Sequence, residues 1–137
     1  MPEKIVVDAS ALLAWLLHER GSDAINKILD LAIAPVSVIV EVLYRAREKG
    51  LTTPSAQILQ DFQSSGVTIE PILPIDGLRA AELIAISRQK RKEINEPALS
   101  LGDGLCIAVA ERLGLLLVGG DKYWMECDLK VDFYLFR

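Results

Sequence analysis

Short apolar runs, alternating with longer segments of helical spacing, limit most strongly what this chain can fold into. The runs "KIVVD" at 4–8 and "LLLVG" at 115–119 are compact and have apolar centres. Runs of this kind are typical of parallel strands that are covered by helices on both faces. The alternation therefore predicts an α/β fold, a three-layer α/β/α sandwich around a central parallel sheet of about five strands.

The remaining elements follow from the same patterns. Three further strands are predicted, at 34–37 ("APVS"), 67–73 ("VTIEPIL") and 131–136 ("VDFYLF"). Pro71 places the second of these near a sheet edge or a strand end, because proline cannot donate a hydrogen bond to a ladder. Helices are predicted at 10–19, 21–32, 38–50, 53–65, 76–93 and 98–114. The 137 residues carry no internal repeat, so a single domain over 1–137 is expected.

Charge and cysteine usage narrow the classes of protein. The net charge of −4 argues against an indiscriminate nucleic-acid coat or a polybasic membrane anchor, although a local basic patch remains compatible with it. No apolar run approaches the roughly 18 residues that a membrane-spanning helix needs. Cys106 and Cys127 form no CxxC pair and are interpreted as reduced packing thiols. These features predict a cytoplasmic protein without a membrane partner.

Four acidic residues are expected at one edge of the predicted sheet. The carboxyl ends of parallel strands and the amino ends of the intervening helices share an edge, where sites gather. Asp8 ends the first strand, and Asp121 follows the strand at 115–119. Glu41 and Asp103 lie near the starts of two predicted helices. Asp76 meets the same criterion, so position at the edge is weak evidence by itself.

Helix capping is the alternative role for most of these acids. Ser100 and Asp103 match the S-x-x-D capping box, and Asp76 is expected to be only an N-cap. Glu41 is harder to explain, since it lies within "VSVIVEVLY" and comes one position too late to close a capping box with Ser37. A carboxylate in such apolar surroundings costs free energy unless it is paired or binds a metal ion.

A group of carboxylates without nearby histidine or cysteine favours a hard divalent cation. Like charges in one pocket raise one another's pKa values, and Mg²⁺ or Mn²⁺ relieves this repulsion through oxygen ligands. The lone His18 and the two cysteines show no zinc-ligand spacing. The pattern therefore favours metal-assisted phosphoryl chemistry, in which the ion activates water and stabilises the charged transition state.

Four segments together resemble the motifs of a known family. In chain order they are "VVDASALLAWLLHE", "SVIVEVLYRA", "LSLGDGLCIAVAERLG" and "LLLVGGDKYW". Their order and separations resemble those of PIN-domain proteins, and most of all VapC-type ribonuclease toxins of type II toxin–antitoxin systems. The resemblance covers the chain from the first strand to about Trp124.

The resemblance implies an activity and assigns the site residues. It implies an endoribonuclease that depends on Mg²⁺ or Mn²⁺ and hydrolyses RNA phosphodiester bonds. Ser10 matches the supporting hydroxyl near the first acid, and the first and fourth strands are expected side by side at the sheet centre, which separates Asp76 from the site. The implied metal ligands, which are also the catalytic residues, are Asp8, Glu41, Asp103 and Asp121.

The chain departs from the family pattern at three glycines. Gly119 stands two residues before the last acid, where the family usually has Thr or Ser. If that missing hydroxyl matters, Gly119→Thr is expected to tighten metal binding. Gly102 and Gly104 replace the alanines on either side of Asp103, and smaller residues there could let RNA approach the backbone.

Basic residues near the acids are candidates for contacts with RNA phosphates, which would make binding sensitive to salt. The alternative for those at the end of helix 76–93 is a solvated helix terminus whose cations suit the helix dipole. The six candidates for RNA binding are Arg45, Arg47, Arg88, Lys90, Arg91 and Lys122.

The resemblance also implies partners, namely a homodimer and a cognate antitoxin that covers the acidic site. Two alternatives stay open: a PIN-fold module that binds RNA or protein with little or no catalysis, and a housekeeping RNA-processing nuclease. A phosphoacceptor receiver domain is disfavoured because "KIVVD" offers a single acid. A phosphatase of the haloacid-dehalogenase type is disfavoured because Ser10 occupies the second position of its D-x-D motif.

Overall fold

The computed structural model describes residues 3–94 and 96–137. Its centre is an all-parallel, five-stranded sheet with the order β3-β2-β1-β4-β5. The strands are β1 (Ile5–Val7), β2 (Ala32–Pro35), β3 (Thr68–Glu70), β4 (Leu116–Gly119) and β5 (Phe133–Leu135). The helices are α1 (Ala9–Leu16), α2 (Ser22–Asn26), α3 (Val36–Glu48), α4 (Ser55–Ser64), α5 (Pro74–Lys92) and α6 (Leu101–Leu113). Short 3₁₀ helices cover Leu29–Leu31 and Lys122–Glu126.

The strand order places helices on both faces of the sheet. The chain steps outward from β1 to β2 and β3, then returns across the sheet to β4 and β5. Because crossovers between parallel strands are right-handed, this reversal puts α1 to α4 on one face and α5 and α6 on the other. The predicted three-layer α/β/α sandwich is confirmed.

Strands β1 and β4 are neighbours at the sheet centre, as the family resemblance implied. Ile5 pairs with Leu116 and Val7 with Val118 in parallel register. The pairing extends one residue beyond β1, where the Asp8 N–H donates to the Val118 carbonyl over 3.0 Å. Apart from Leu116, which is exposed at the start of β4, the residues of both strands are buried between the helical layers, which explains why their sequences are apolar at consecutive positions.

Three predicted elements have clearly different boundaries in the structure. The helix predicted at 21–32 ends at Asn26, and β2 already begins at Ala32, so the second strand lies at 32–35 rather than 34–37. The apolar residues before it fit a helical period, but Ala32 and Ala34 are fully buried in the sheet. The strand predicted at 67–73 shrinks to Thr68–Glu70, and its edge position is confirmed.

The helices of residues 3–94 and 96–137 are all too short or too polar to cross a lipid bilayer. Both cysteines are free thiols. Cys106 is buried against the backbone of β1, where its Sγ contacts the Val7 carbonyl at 3.6 Å. The packing role predicted for Cys106 is confirmed.

Candidate active site

Asp8 stands where β1 ends and α1 begins. Its Oδ1 accepts hydrogen bonds from the Ala11 N–H at 3.0 Å and from the Ser10 hydroxyl at 2.7 Å. The Ser10 Oγ in turn accepts the Gly120 N–H at 3.0 Å. Asp8 therefore caps α1, and Ser10 joins it to the chain that follows β4. This arrangement holds one carboxylate at the meeting point of the two central strands.

Burial changes the chemistry of this carboxylate. Only 6% of Asp8 is exposed. Burial raises the pKa of Asp8 from 3.8 to about 7, although the hydrogen bonds from Ser10 and Ala11 lower it. The negative charges of Asp103 and Glu41 contribute smaller parts of this rise in pKa. Asp8 therefore lies within electrostatic reach of two of the other predicted site acids.

Asp103 both caps its helix and belongs to the acidic group. Its N–H donates to the Ser100 hydroxyl at 3.1 Å, and its Oδ2 accepts the Ser100 N–H at 3.4 Å, which confirms the predicted capping box. Burial raises the pKa of Asp103, and the charges of Asp121 and Glu41 raise it further. Capping and proximity to the other acids are thus compatible properties of one side chain.

Glu41 projects from the second turn of α3 toward the start of α6. Its Oε2 accepts a hydrogen bond from Arg45 Nη1 at 2.9 Å, so the carboxylate has an ionic partner on its own helix. Its Oε1 lies so near Gly102 that a Cβ atom built there would be 2.5 Å away. Glu41 and Asp103 line one cleft of about 590 Å³.

Asp121 follows β4 and caps the 3₁₀ helix Lys122–Glu126. Its Oδ1 accepts the Tyr123 N–H at 2.9 Å. Asp121 and Asp103 line a second cleft, of about 550 Å³. Since Asp103 borders both clefts, it lies between Glu41 on one side and Asp121 on the other.

The four acids approach one another without forming a closed ligand set. Within the described residues, no three His, Cys, Asp or Glu side chains converge closely enough to hold a metal ion as they stand. The donor set is nevertheless all oxygen, and the raised pKa values of Asp8 and Asp103 arise partly from neighbouring carboxylates. Such a group suits a hard divalent cation, which would remove the repulsion.

Asp76 has partners of its own. It is 1% exposed and accepts the Leu73 N–H at 2.8 Å. Its carboxylate also accepts Arg112 Nε at 2.9 and 3.1 Å. The prediction that Asp76 is only an N-cap is wrong in position, because α5 begins at Pro74 and Asp76 caps the Leu73 N–H from the third helical position. The ion pair with Arg112 also ties α5 to α6.

The glycines beside Asp103 make room for protein atoms, so the expectation that they let RNA approach the backbone is not supported. A Cβ atom on Gly102 would meet the Glu41 carboxylate. A Cβ atom on Gly104 would lie 2.8 Å from Ile84 Cδ1. Gly102 thus admits the carboxylate of α3, and Gly104 admits the packing of α5 on α6.

Close packing of protein atoms also explains why glycine stands at position 119, where the family usually has Thr or Ser. A Cβ atom on it would overlap both Trp124 Cη2 and Asp8 Oδ2. Trp124 is fully buried and meets Phe133 edge-on, with ring centroids 6.1 Å apart. The indole therefore fills the space that a threonine side chain would need, and Ser10 supplies a hydroxyl to Asp8 from the other side.

The six predicted RNA-binding residues fall into two groups. Arg45 pairs with Glu41, and Arg47 donates to the Leu51 carbonyl at 2.6 Å, closing the loop between α3 and α4. Arg91 is 8% exposed and pairs with two carboxylates. The other three are exposed and form no ion pair with the described residues: Arg88, Lys90 and Lys122.

Arg137 is a further basic residue near the acids, and it was not among the six predicted RNA-binding residues. It follows β5, whose carboxyl end lies at the same sheet edge as the acids. A Cβ atom on Gly120 would lie 3.2 Å from Arg137 Nε and 3.3 Å from Ser10 Oγ. The sequence signal for Arg137 is its position directly after the strand at 131–136, because the carboxyl ends of parallel strands share one edge of the sheet.

Known proteins share both the sequence pattern and the fold. The family model described as "PIN domain" matches residues 5–127. Solved structures with the same fold include VapBC2 from Rickettsia felis bound to promoter DNA, with a TM-score of 0.69, 12% identity and coverage of 96% of this chain and 97% of that one. DNA-bound VapBC from Salmonella typhimurium has a TM-score of 0.68, 12% identity and coverage of 99% and 100%.

Two further similarities differ in extent. VapC20 from Mycobacterium tuberculosis, a sarcin–ricin-loop-cleaving toxin, has a TM-score of 0.63 at 14% identity, covering 92% of this chain and 96% of that one. The HTH-type transcriptional repressor IacR from Pseudomonas putida is 42% identical over 45 residues, which are 31% of this chain and 27% of that protein. The family model, in contrast, spans β1 to β4 and all four acids. The chain therefore belongs to the PIN domain family.

Proposed function

We propose that this protein is a divalent-metal-dependent endoribonuclease whose site consists of Asp8, Glu41, Asp103 and Asp121. The mutual electrostatic effect of these acids at one sheet edge carries the proposal. Membership of the PIN domain family supports it, as does the similarity of fold to a toxin that cleaves the sarcin–ricin loop. The donor atoms of the four acids are all oxygens, which favours Mg²⁺ or Mn²⁺ over zinc.

The chain's own residues would hold and orient the reacting groups. The four carboxylates would hold the ion, and a bound divalent ion supplies an activated water and neutralises phosphate charge. Ser10 keeps Asp8 turned toward the site through its 2.7 Å hydrogen bond. The capping box fixes the first turn of α6 and therefore Asp103. Lys122, Arg88 and Lys90 are exposed cations that would attract the RNA strand.

Cleavage of a mixed cellular RNA pool tests the proposal. The purified protein would be incubated with Mg²⁺, Mn²⁺ or EDTA beside the Asp103→Asn variant. Because losing a ligand's supporting partner alone costs about 10- to 100-fold, losing a ligand is expected to slow cleavage by about 100-fold or more. Asparagine can still accept the Ser100 N–H, so the thermal midpoint should change little.

Two results would contradict the assignment. Cleavage that persists in EDTA would remove the metal from the mechanism. Equal losses of cleavage per folded molecule in Asp103→Asn and in Asp76→Asn would remove the distinction between site acid and structural acid. A folded protein that binds metal and RNA but cuts nothing would favour the alternative, a PIN-fold binding module.

Gly102→Ala is expected to weaken metal binding without unfolding the protein. The new methyl group would meet Glu41 Oε1, the far end of a flexible side chain, and push it away from α6. Alanine favours a helix over glycine by about 1 kcal/mol, so the variant should be at least as stable. Calorimetric titration with Mn²⁺, beside thermal melting, separates the two effects. An unchanged Mn²⁺ affinity would show that metal binding does not depend on the position of the Glu41 carboxylate beside Gly102.

The biological role and the partners extend the proposal. We infer a toxin of a toxin–antitoxin pair, since similar folds occur in the VapBC complexes. A homodimer and an antitoxin both need apolar surface, and α3 exposes Val36, Val40 and Tyr44 beside the acidic cleft. A housekeeping RNA-processing enzyme with the same four acids is the alternative. The cytoplasmic location stays a prediction from cysteine usage.

A further inference from the structure

Helix α5 holds the segment that leads into Asp103. The Ser87 hydroxyl accepts the Leu99 N–H at 3.0 Å and donates to the Ile84 carbonyl at 2.8 Å. Leu99 directly precedes Ser100, the residue that caps α6. The start of α6 is thereby tied to α5 immediately before the capping box. This contact sets where the first turn of α6 begins.

Arg91, one turn later in α5, contacts both segments that carry an acid. Its Nη1 donates to Glu96, in the loop before α6. Its Nη2 donates to Glu126 at 2.8 Å, at the end of the 3₁₀ helix that follows Asp121. Its guanidinium carbon lies 3.6 Å from the centre of the Tyr123 ring. The buried Arg91 side chain thus contacts Glu96 in the loop before α6, and both Tyr123 and Glu126 in the 3₁₀ helix after Asp121.

The contact with Tyr123 reaches Asp121 in a single further step. The Tyr123 N–H is the group that donates to Asp121 Oδ1, at 2.9 Å. Tyr123, whose ring lies against the Arg91 guanidinium, therefore also orients the Asp121 carboxylate. Asp103 and Asp121, whose charges interact, are carried by segments that Arg91 holds together.

We propose that Arg91 is a positioning residue that sets the separation of Asp103 and Asp121 and through it the affinity for the divalent ion. The proposal rests on the proposed function. It replaces the sequence-based expectation that Arg91 contacts RNA. Arg91 is 8% exposed, and with Glu96 and Glu126 it forms a group of net negative charge. Such a group does not attract a phosphate.

The first test is a Mn²⁺ titration of wild type, Arg91→Lys and Arg91→Met by calorimetry, well below the melting temperature. Partners that orient metal ligands are worth about 10- to 100-fold in affinity, so Arg91→Met should weaken Mn²⁺ binding by about 10-fold or more. The Mn²⁺ affinity of Arg91→Lys should fall between those of wild type and Arg91→Met. Lysine keeps the positive charge, but its ammonium lacks the planar guanidinium that bridges two carboxylates and stacks on the Tyr123 ring. Tyr123→Phe should resemble wild type and Tyr123→Ala should resemble Arg91→Met.

Arg79→Met is the matched control for lost stability. Arg79 lies on the same helix and donates to Glu111 at 2.6 Å and to Glu82 at 2.5 Å, away from the acids. Its loss should lower the melting temperature and leave Mn²⁺ affinity unchanged. Equal Mn²⁺ affinities in wild type and in all Arg91 and Tyr123 variants would overturn the proposal. A wild type that binds no Mn²⁺ would instead overturn the proposed function itself.

RNA binding in EDTA distinguishes positioning from phosphate contact. The logarithm of the affinity of a single-stranded RNA would be plotted against the logarithm of salt concentration. Loss of one phosphate contact lowers the magnitude of this slope by about 0.7 for a single strand. Positioning by Arg91 predicts an unchanged slope in Arg91→Met. A reduced slope with unchanged Mn²⁺ affinity would restore the RNA contact and refute the positioning role.

Discussion

Asp8→Asn is expected to stabilise the metal-free protein at pH 8 and to abolish RNA cleavage. The buried carboxyl has a pKa of about 7 in the folded state, against 3.8 for the unperturbed group. Above pH 7 the folded protein must therefore hold a buried, ionised Asp8, whereas the unfolded chain holds the same charge in water. By linkage, a rise of this size costs on the order of 4 kcal/mol of folding stability.

The sign of the pH dependence follows from proton counting. Between pH 3.8 and about 7 the folded state binds more protons at Asp8 than the unfolded state, so this group's contribution to stability grows as the pH falls. The gain from Asp8→Asn should therefore be largest at pH 8 and shrink toward pH 4. Asparagine keeps an oxygen for the Ala11 N–H and the Ser10 hydroxyl, so the cap survives.

Urea unfolding in EDTA at several pH values measures this effect, and repetition with Mn²⁺ links it to the site. Mn²⁺ should stabilise the wild type at pH 8 and have little effect on Asp8→Asn, which has lost a ligand. Asp76→Asn is the opposite control, because it breaks the buried pair with Arg112 and should cost about 2 kcal/mol. If Asp8→Asn is no more stable at pH 8 than the wild type, the claim that a buried, ionised Asp8 destabilises the folded protein is wrong.

Gly119→Thr is expected to destabilise the protein strongly, contrary to what the family pattern alone suggests. The added Cβ atom would overlap Trp124 Cη2 and Asp8 Oδ2. Neither neighbour can give way, since Trp124 is fully buried and Asp8 is held by two hydrogen bonds. Overpacking of a well-packed core costs about 1 to 3 kcal/mol, and two overlaps with fixed neighbours put Gly119→Thr at the upper end of this range. Metal affinity should fall as Asp8 is displaced.

Chemical unfolding of Gly119→Thr and Gly119→Ala measures the cost, with Gly77→Ala as the control. Gly77 lies in α5, and a Cβ atom added to it would have nothing within 4 Å, so its replacement should stabilise the helix by about 1 kcal/mol. In a double-mutant cycle, Trp124→Leu should recover part of the loss at Gly119. Tighter Mn²⁺ binding by Gly119→Thr with unchanged stability would restore the role of the missing hydroxyl.

Much of the fold and part of the site were predictable from local patterns. The α/β class, the parallel sheet and the edge position of the strand near Pro71 follow from apolar runs and proline chemistry. The capping box of Ser100 and Asp103 follows from spacing alone. The boundary between α2 and β2 was predicted wrongly, because the apolar positions before Ala32 suit both a helix and a turn that leads into a buried strand.

The sequence by itself determined which residue types stand at strand ends and helix starts, because hydrophobic period and capping are local properties. Tertiary structure alone decided what those residues contact. It placed Glu41 against Gly102, the Trp124 ring beside Gly119, and Arg91 between two carboxylates. Two of these contacts, Glu41 with Gly102 and Arg91 with Glu126, join residues that are far apart in the chain. They depend on how the layers pack, and packing distances are not encoded in any single segment.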